Sequence, residues 1–241
     1  GLAIPPERIV VTSGSSAAFV LAFLALFDAG ERVGLPAPGY PCYRHILSAL
    51  GCRPAFIETG PETRWMPTAA NVEALDTAER LSGLLLASPA NPTGTMLEPE
   101  RLAGIVATCR RRGIAFISDE IYHGLAYGVH QDTALRYSDD AIVINSFSKY
   151  FSMTGWRVGW MVVPDGLVRP IERLAQNLYI SPPAVAQVAA LGAFDGIDEL
   201  EANRKVYAAN RELLLAEMPK AGLGRIVPAD GAFYLWVDVG H

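Results

Sequence analysis

The sequence predicts an α/β protein: three layers, α/β/α, around a mostly parallel seven-stranded sheet, followed by the start of a small α+β domain. Two observations predict it. Seven short runs rich in β-branched and aliphatic residues alternate with segments whose apolar residues recur at helical spacing, the pattern of a sheet covered on both faces. After Pro164 that alternation stops and helical segments follow one another. The expected division is therefore a large ligand-binding domain over residues 1–192, then a linking helix and the beginning of an incomplete small domain over 193–241.

In order, the expected strands are residues 8–12, 31–35, 53–58, 81–88, 115–119, 141–146 and 158–163. Between the early ones lie expected helices at 15–27, 43–50, 71–75 and 99–112. The apolar run 17–27 is far short of the roughly 20 residues needed to cross a bilayer and fits a helix buried within the domain. Residues 99–112 close on Arg110, Arg111 and Arg112, a solvated helix end that complements the helix dipole. Beyond Pro164, helices are expected at 167–176, 184–192 and 198–218, the last carrying Leu200, Tyr207, Leu214 and Met218 on one stripe. Two short strands, 224–227 and 233–237, finish the chain.

With 241 residues, half of them apolar, the chain can bury a sizeable core. A net charge of -5 with scattered basic residues leaves no electrostatic footprint for nucleic acid, and no segment is a membrane span. Three cysteines, Cys42, Cys52 and Cys109, have no metal-ligand spacing and argue for a reducing, cytoplasmic setting. The chain has no initiator methionine and opens one turn from a strand, so it is expected to be a piece of a longer protein.

In a sheet of this type ligands bind beyond the carboxyl ends of the strands, and the candidate chemical residues collect there. The most informative is Lys149, in SFSKYFSMTGWR (146–157), just past the strand AIVINS. Lost hydration there lowers a lysine's pKa toward a value useful for Schiff-base chemistry. Ser146, Ser148 and Arg157 lie close enough in sequence to hold a phosphate. An aldehyde-accepting lysine beside an anion anchor is what pyridoxal 5'-phosphate requires.

Other segments add to this pattern. VTSGSSAA (11–18) runs from a strand through Gly14 into a helix, gathering backbone amides and the hydroxyls of Ser15 and Ser16 at an anion-binding helix N-terminus, or simply a serine cap. PAPGYPCY (36–43) is a rigid loop that can hold the Tyr40 ring against a planar ligand; an aromatic in a turn is equally a packing residue. SPANPTG (88–94) sets Asn91 between prolines, where its amide can donate to a phenolate oxygen or merely make an Asn-Pro turn. ISDEIYHGL (117–125) puts Asp119 at the end of a buried strand, where it needs a cation such as a protonated pyridine nitrogen. Tyr122 is placed to hydrogen-bond a ring hydroxyl, whereas Glu120 and His123 are expected to be structural.

Taken together, these segments resemble, in order, the class I and II aminotransferases of fold-type I pyridoxal phosphate enzymes, with a family-like GAFYLWVD (231–238) near the end. The resemblance implies that residues 1–192 are the cofactor-binding large domain. Lys149 would form the Schiff base and then shuttle a proton on the substrate, making Lys149, Asp119 and Tyr122 the catalytic set. Asp119 would pair with the pyridine nitrogen, Asn91 and Tyr122 would contact the ring hydroxyl, and Tyr40 would stack on the ring. Ser15, Ser16, Ser146, Ser148 and Arg157 would hold the phosphate, with Gly14 allowing close backbone approach. The implied reaction is transamination between an amino acid and a 2-oxo acid in a homodimer.

The family's N-terminal active-site segment and its C-terminal carboxylate-binding arginine are not found in this sequence. The piece by itself is therefore expected to be inactive and prone to associate through an exposed apolar face. No arginine marks a dicarboxylate substrate, and aspartate is not inferred. The alternatives are another fold-type I enzyme (a carbon–sulfur lyase, decarboxylase or cyclopropane-forming synthase) or an aminotransferase-like sensor domain of a transcription regulator.

Overall fold

A computed structural model describes residues 2–240. The sheet has seven strands: β1 (Ile9–Thr12), β2 (Arg32–Ala37), β3 (Arg53–Glu58), β4 (Gly83–Ala87), β5 (Ala115–Asp119), β6 (Ile142–Ser146) and β7 (Gly159–Val162). They are ordered β1-β7-β6-β5-β4-β2-β3. Strand β7 runs antiparallel to both of its neighbours, and the remaining pairs are parallel. The helices are α1 (Ser15–Leu26), α2 (Pro41–Ala49), α3 (Ala69–Ala78), α4 (Pro99–Arg112), α5 (Asp165–Leu178), α6 (Ala184–Gly192) and α7 (Ile197–Glu217).

The period-two alternation of strand side chains sorts the core into two layers. Leu85, Ile117, Ile142, Ile144 and Met161 face a cluster built with Phe19 and Phe23 of α1, Leu47 of α2 and Ile171 of α5. Leu84, Leu86, Phe116, Val143 and Val162 face the opposite cluster, with Val72 of α3 and Leu102, Ile105 and Val106 of α4. This three-layer arrangement is the one predicted. It also fixes where Asp119 points: two residues beyond Ile117, its side chain falls on the α1–α2 face.

Several elements differ from expectation for local reasons. Helix α3 starts at Ala69, ahead of the expected residue 71, because Thr68 forms a capping box. Its hydroxyl accepts from Asn71 N–H (3.2 Å), and the Asn71 side chain accepts from Thr68 N–H (2.9 Å). The arginines ending α4 do more than complement its dipole, since Arg111 pairs with Glu73 and Arg112 with Asp76, 2.7 Å away, on α3. On α7 only Leu200 of the expected stripe is buried; Tyr207 and Leu214 are exposed. The last two strands shrink to β8 (Ile226–Val227) and β9 (Trp236–Val237), which pair with each other. The segment before β9 instead folds back on the sheet domain through Ala232 N–H to Leu125 O (2.9 Å) and Asp230 N–H to Gly94 O (2.8 Å). Among the described residues no helix is long and apolar enough to cross a membrane.

Candidate active site

Just past the carboxyl ends of β2, β4, β5 and β6 lies a cavity of about 390 Å³. Its wall includes Ser15, Ser16, Tyr40, Asn91, Asp119, Tyr122, Ser148, Lys149 and Arg157, so nine of the eleven residues singled out in the sequence meet on one surface. The other two stand directly behind it. Ser146 is buried, with its hydroxyl 2.8 Å from Ser148 Oγ and 3.0 Å from the Val158 carbonyl, so it braces Ser148. Gly14 carries the turn into α1. A larger apolar cavity of about 520 Å³ lies beside Phe147, Phe151 and Trp160, but it brings together no comparable set of charged and nucleophilic groups.

At Gly14 the backbone takes φ 76° and ψ 172°, a region open essentially to glycine, and a Cβ there would strike the Arg157 guanidinium. No side chain caps the first turn of α1. Its amides therefore remain available beside Ser15, Ser16 and Arg157, a set of donors able to receive an anion. Arg157 is held by Nη1 donating to Thr154 O (3.0 Å), and Thr154 Oγ1 in turn donates to Ser148 O (2.6 Å). Gly14→Ala is expected to cost about 1–3 kcal/mol in urea unfolding and to weaken phosphate-ester binding at least roughly tenfold, the equivalent of one lost charge-assisted contact. An unchanged affinity would show that the turn plays no part in binding.

Asp119 is buried, and its two oxygens are already in use. Oδ2 accepts from the Tyr43 hydroxyl at 2.5 Å and Oδ1 from Ile121 N–H at 3.1 Å. Burial pushes the carboxyl up to about 6 even though these donors and Lys149 favour its charged form. The same burial and the Asp119 charge drive the Tyr43 hydroxyl well above its ordinary range, so it serves as a neutral donor. Lys149 is half-buried, its Nζ 5.7 Å from the Tyr122 ring centre and 5.4 Å from that of Phe233. Burial lowers its pKa, Arg157 adds to the effect, and Asp119 opposes it. Glu120 is structural, as expected: it accepts from Ser118 Oγ (3.0 Å), Thr133 Oγ1 (3.1 Å) and Ala134 N–H (2.9 Å) and sits 3.4 Å from His123 Nδ1.

Sequence reasoning missed two tyrosines. Tyr43 supports Asp119, and a signal for it was available: Pro41 begins α2, so Tyr43 falls in the helix's first turn, one turn on from Tyr40. Tyr234 lies in the cavity wall with its hydroxyl 2.5 Å from that of Tyr122.

A half-buried lysine, a buried carboxylate and a helix N-terminus beside Arg157 meet at the carboxyl ends of a largely parallel sheet, an arrangement able to receive an anion and to present an amine. Comparison with known proteins agrees: the sequence profile described as aminotransferase class I and II matches residues 1–241. The chain belongs to that family. It is 49% identical over 243 residues to a valine–pyruvate aminotransferase of Mycobacterium tuberculosis, covering 99% of this chain and 62% of that protein. It is 33% identical to a (5-formylfuran-3-yl)methyl phosphate transaminase of Methanocaldococcus jannaschii, covering 99% and 62%. Among solved structures, an aminotransferase from Mycobacterium tuberculosis superposes with a TM-score of 0.97 at 48% identity, over 99% of this chain and 62% of that one. The chain thus spans 62% of the length of these relatives.

Proposed function

We propose that the protein carrying this chain is a pyridoxal 5'-phosphate-dependent aminotransferase that moves an amino group between an amino acid and a 2-oxo acid. One observation carries the proposal. Lys149 and Asp119 face a single cavity whose wall also holds the anion cradle of Ser15, Ser16, Ser148 and Arg157. The residues suit the cofactor chemically. The Gly14 cradle would be filled by any Cβ, and the buried Asp119 has donors but no ion pair among the described residues. A phosphate answers the first feature and a pyridinium nitrogen the second.

When bound, the cofactor supplies an electron-withdrawing ring that accepts the electron pair left on the substrate Cα. The protein's own groups do the rest. Lys149, its pKa lowered by burial, presents its amine to the cavity and would carry a proton on and off the Cα. Asp119 would pair with the ring nitrogen and favour its charged form, while Tyr43 and Ile121 N–H hold the carboxylate in place. Asn91 and Tyr122 would hold the ring hydroxyl, Tyr40 would pack on the ring, and Ser146 would steady Ser148 at the phosphate.

The test is amine transfer from a panel of amino acids to 2-oxo acids by the full-length protein. Product formed only with cofactor supports the reading; β-elimination or decarboxylation products instead would move the protein to another fold-type I activity. The three free thiols fit a cytoplasmic setting. Exposed Ile180, Val185, Val188 and Leu191 on and beside α6 support a homodimer. Light scattering should give twice the chain mass, and a monomer at high concentration would refute this.

A further inference from the structure

The Tyr122 hydroxyl, which the proposed function assigns to the cofactor's ring oxygen, has a second partner. Tyr234 Oη lies 2.5 Å from it, so the two hydroxyls share one hydrogen bond. A phenol proton lies near the ring plane and has two preferred directions. If Tyr122 spends its proton on Tyr234, it offers the cavity only a lone pair. If Tyr234 donates, the Tyr122 proton is free to point at an acceptor in the cavity, and the chain of two bonds polarises it into a stronger donor.

We propose that Tyr234 is a positioning residue: it donates to Tyr122 Oη and so aims the Tyr122 proton at the ring oxygen of the bound cofactor. This inference rests on the pyridoxal phosphate reading and goes beyond it, because it links the segment before β9 to the electronic state of the site.

The packing supports a fixed pair. Phe233 and Tyr234 both meet the Tyr122 ring edge-on, with centroids 5.6 Å and 5.7 Å away at 82° and 79°. Phe233 also covers Lys149 Nζ at 5.4 Å. The segment bearing them is bracketed to the two loops that line the site. Gly94 O accepts from Asp230 N–H (2.8 Å) and Gly231 N–H (2.9 Å), the Asp230 carboxylate accepts from Met96 N–H (3.0 Å), and Leu125 O accepts from Ala232 N–H (2.9 Å). At Gly94, with φ +69°, a Cβ would come within 2.6 Å of Ala229 Cβ and 3.2 Å of Tyr234 O. The segment can lie this close only because that residue is glycine.

A proton donated to the ring oxygen stabilises negative charge there and competes with the proton on the Lys149–cofactor link for the same oxygen. Removing the donor therefore raises the pH at which that link loses its proton. The experiment follows the visible absorption of the cofactor-loaded, full-length protein against pH for wild type, Tyr122→Phe, Tyr234→Phe and the double variant. Tyr122→Phe moves the midpoint upward. Tyr234→Phe moves it upward by a smaller amount, roughly 0.5 pH unit, as one hydrogen bond is worth. In the double variant the midpoint equals that of Tyr122→Phe alone, because Tyr234 acts through Tyr122. A residue that only packs would alter thermal stability and leave the midpoint in place. An unmoved midpoint in Tyr234→Phe, or an effect that persists without the Tyr122 hydroxyl, overturns the proposal while the cofactor reading stands. Absence of any cofactor band in wild type overturns both.

Discussion

Lys149→Ala abolishes covalent capture of the cofactor and lowers transamination by at least roughly a thousandfold, the scale expected when a nucleophile that is also the proton carrier is lost. In wild type, pyridoxal phosphate gives an absorption band at the edge of the visible, and borohydride fixes it to the chain. In the variant that band and the fixed adduct are absent. The chain contains three lysines, Lys149, Lys205 and Lys220, so the adduct can be assigned by peptide mapping. Lys205 is exposed, and Lys220 donates to Glu217 at 2.6 Å in solvent, which keeps both amines hydrated. Only Lys149 combines partial burial, a lowered pKa and a place on the cavity wall. Asp119 keeps its Tyr43 and Ile121 donors when the lysine is removed, so the variant is expected to fold. An adduct mapped to Lys205 or Lys220, or one that survives in Lys149→Ala, defeats the assignment.

What the sequence revealed and what it hid follow from the range of the forces involved. Strand β5 ends on Asp119, and α4 spans Pro99–Arg112 as expected, because those boundaries are local: a β-branched or aliphatic run, a proline that can only start a helix, a glycine that can end one. The nine residues of the cavity wall singled out in the sequence were legible for a similar reason, since they lie in turn-forming motifs next to strand ends. The reversed direction of β7 was not legible, for Val158 and its neighbours read alike in either orientation. Nor was the Tyr122–Tyr234 pair, whose members are 112 residues apart. GAFYLWVD stands out as a motif, but its pattern reads as a strand over 233–237. In the fold, pairing is confined to Trp236–Val237, and Phe233 and Tyr234 are left out of the ladder to turn onto Tyr122.

Asp119→Asn should stabilise the cofactor-free protein at neutral pH while damaging its function. The Asp119 carboxyl stands at about 6 in the folded protein against an ordinary 3.8, because burial penalises its charge. A group raised in this way holds its proton more tightly when folded. Its stabilising contribution is complete below pH 4 and is lost as the pH rises through about 6. Above that the folded protein carries an ionised carboxylate whose burial costs up to about 3 kcal/mol, the free-energy equivalent of that rise in its midpoint. Around it stand Glu120, which adds to the cost, Lys149, which offsets part of it, and the Tyr43 hydroxyl and Ile121 N–H, which stabilise the charge. Asparagine removes the titration and keeps the contacts: its carbonyl accepts from Ile121 N–H, and its amide donates to a Tyr43 hydroxyl turned to accept. The melting temperatures of wild type and Asp119→Asn should therefore coincide near pH 4 and separate in favour of the variant above pH 6, by several degrees for a chain of this size. Added pyridoxal phosphate reverses the order, because a cationic ring nitrogen supplies the partner the carboxylate lacks, and wild type gains more from the ligand than the variant does. Parallel pH profiles for the two proteins would mean that Asp119 is not held at a cost, and the argument that it awaits a cation would fail with them.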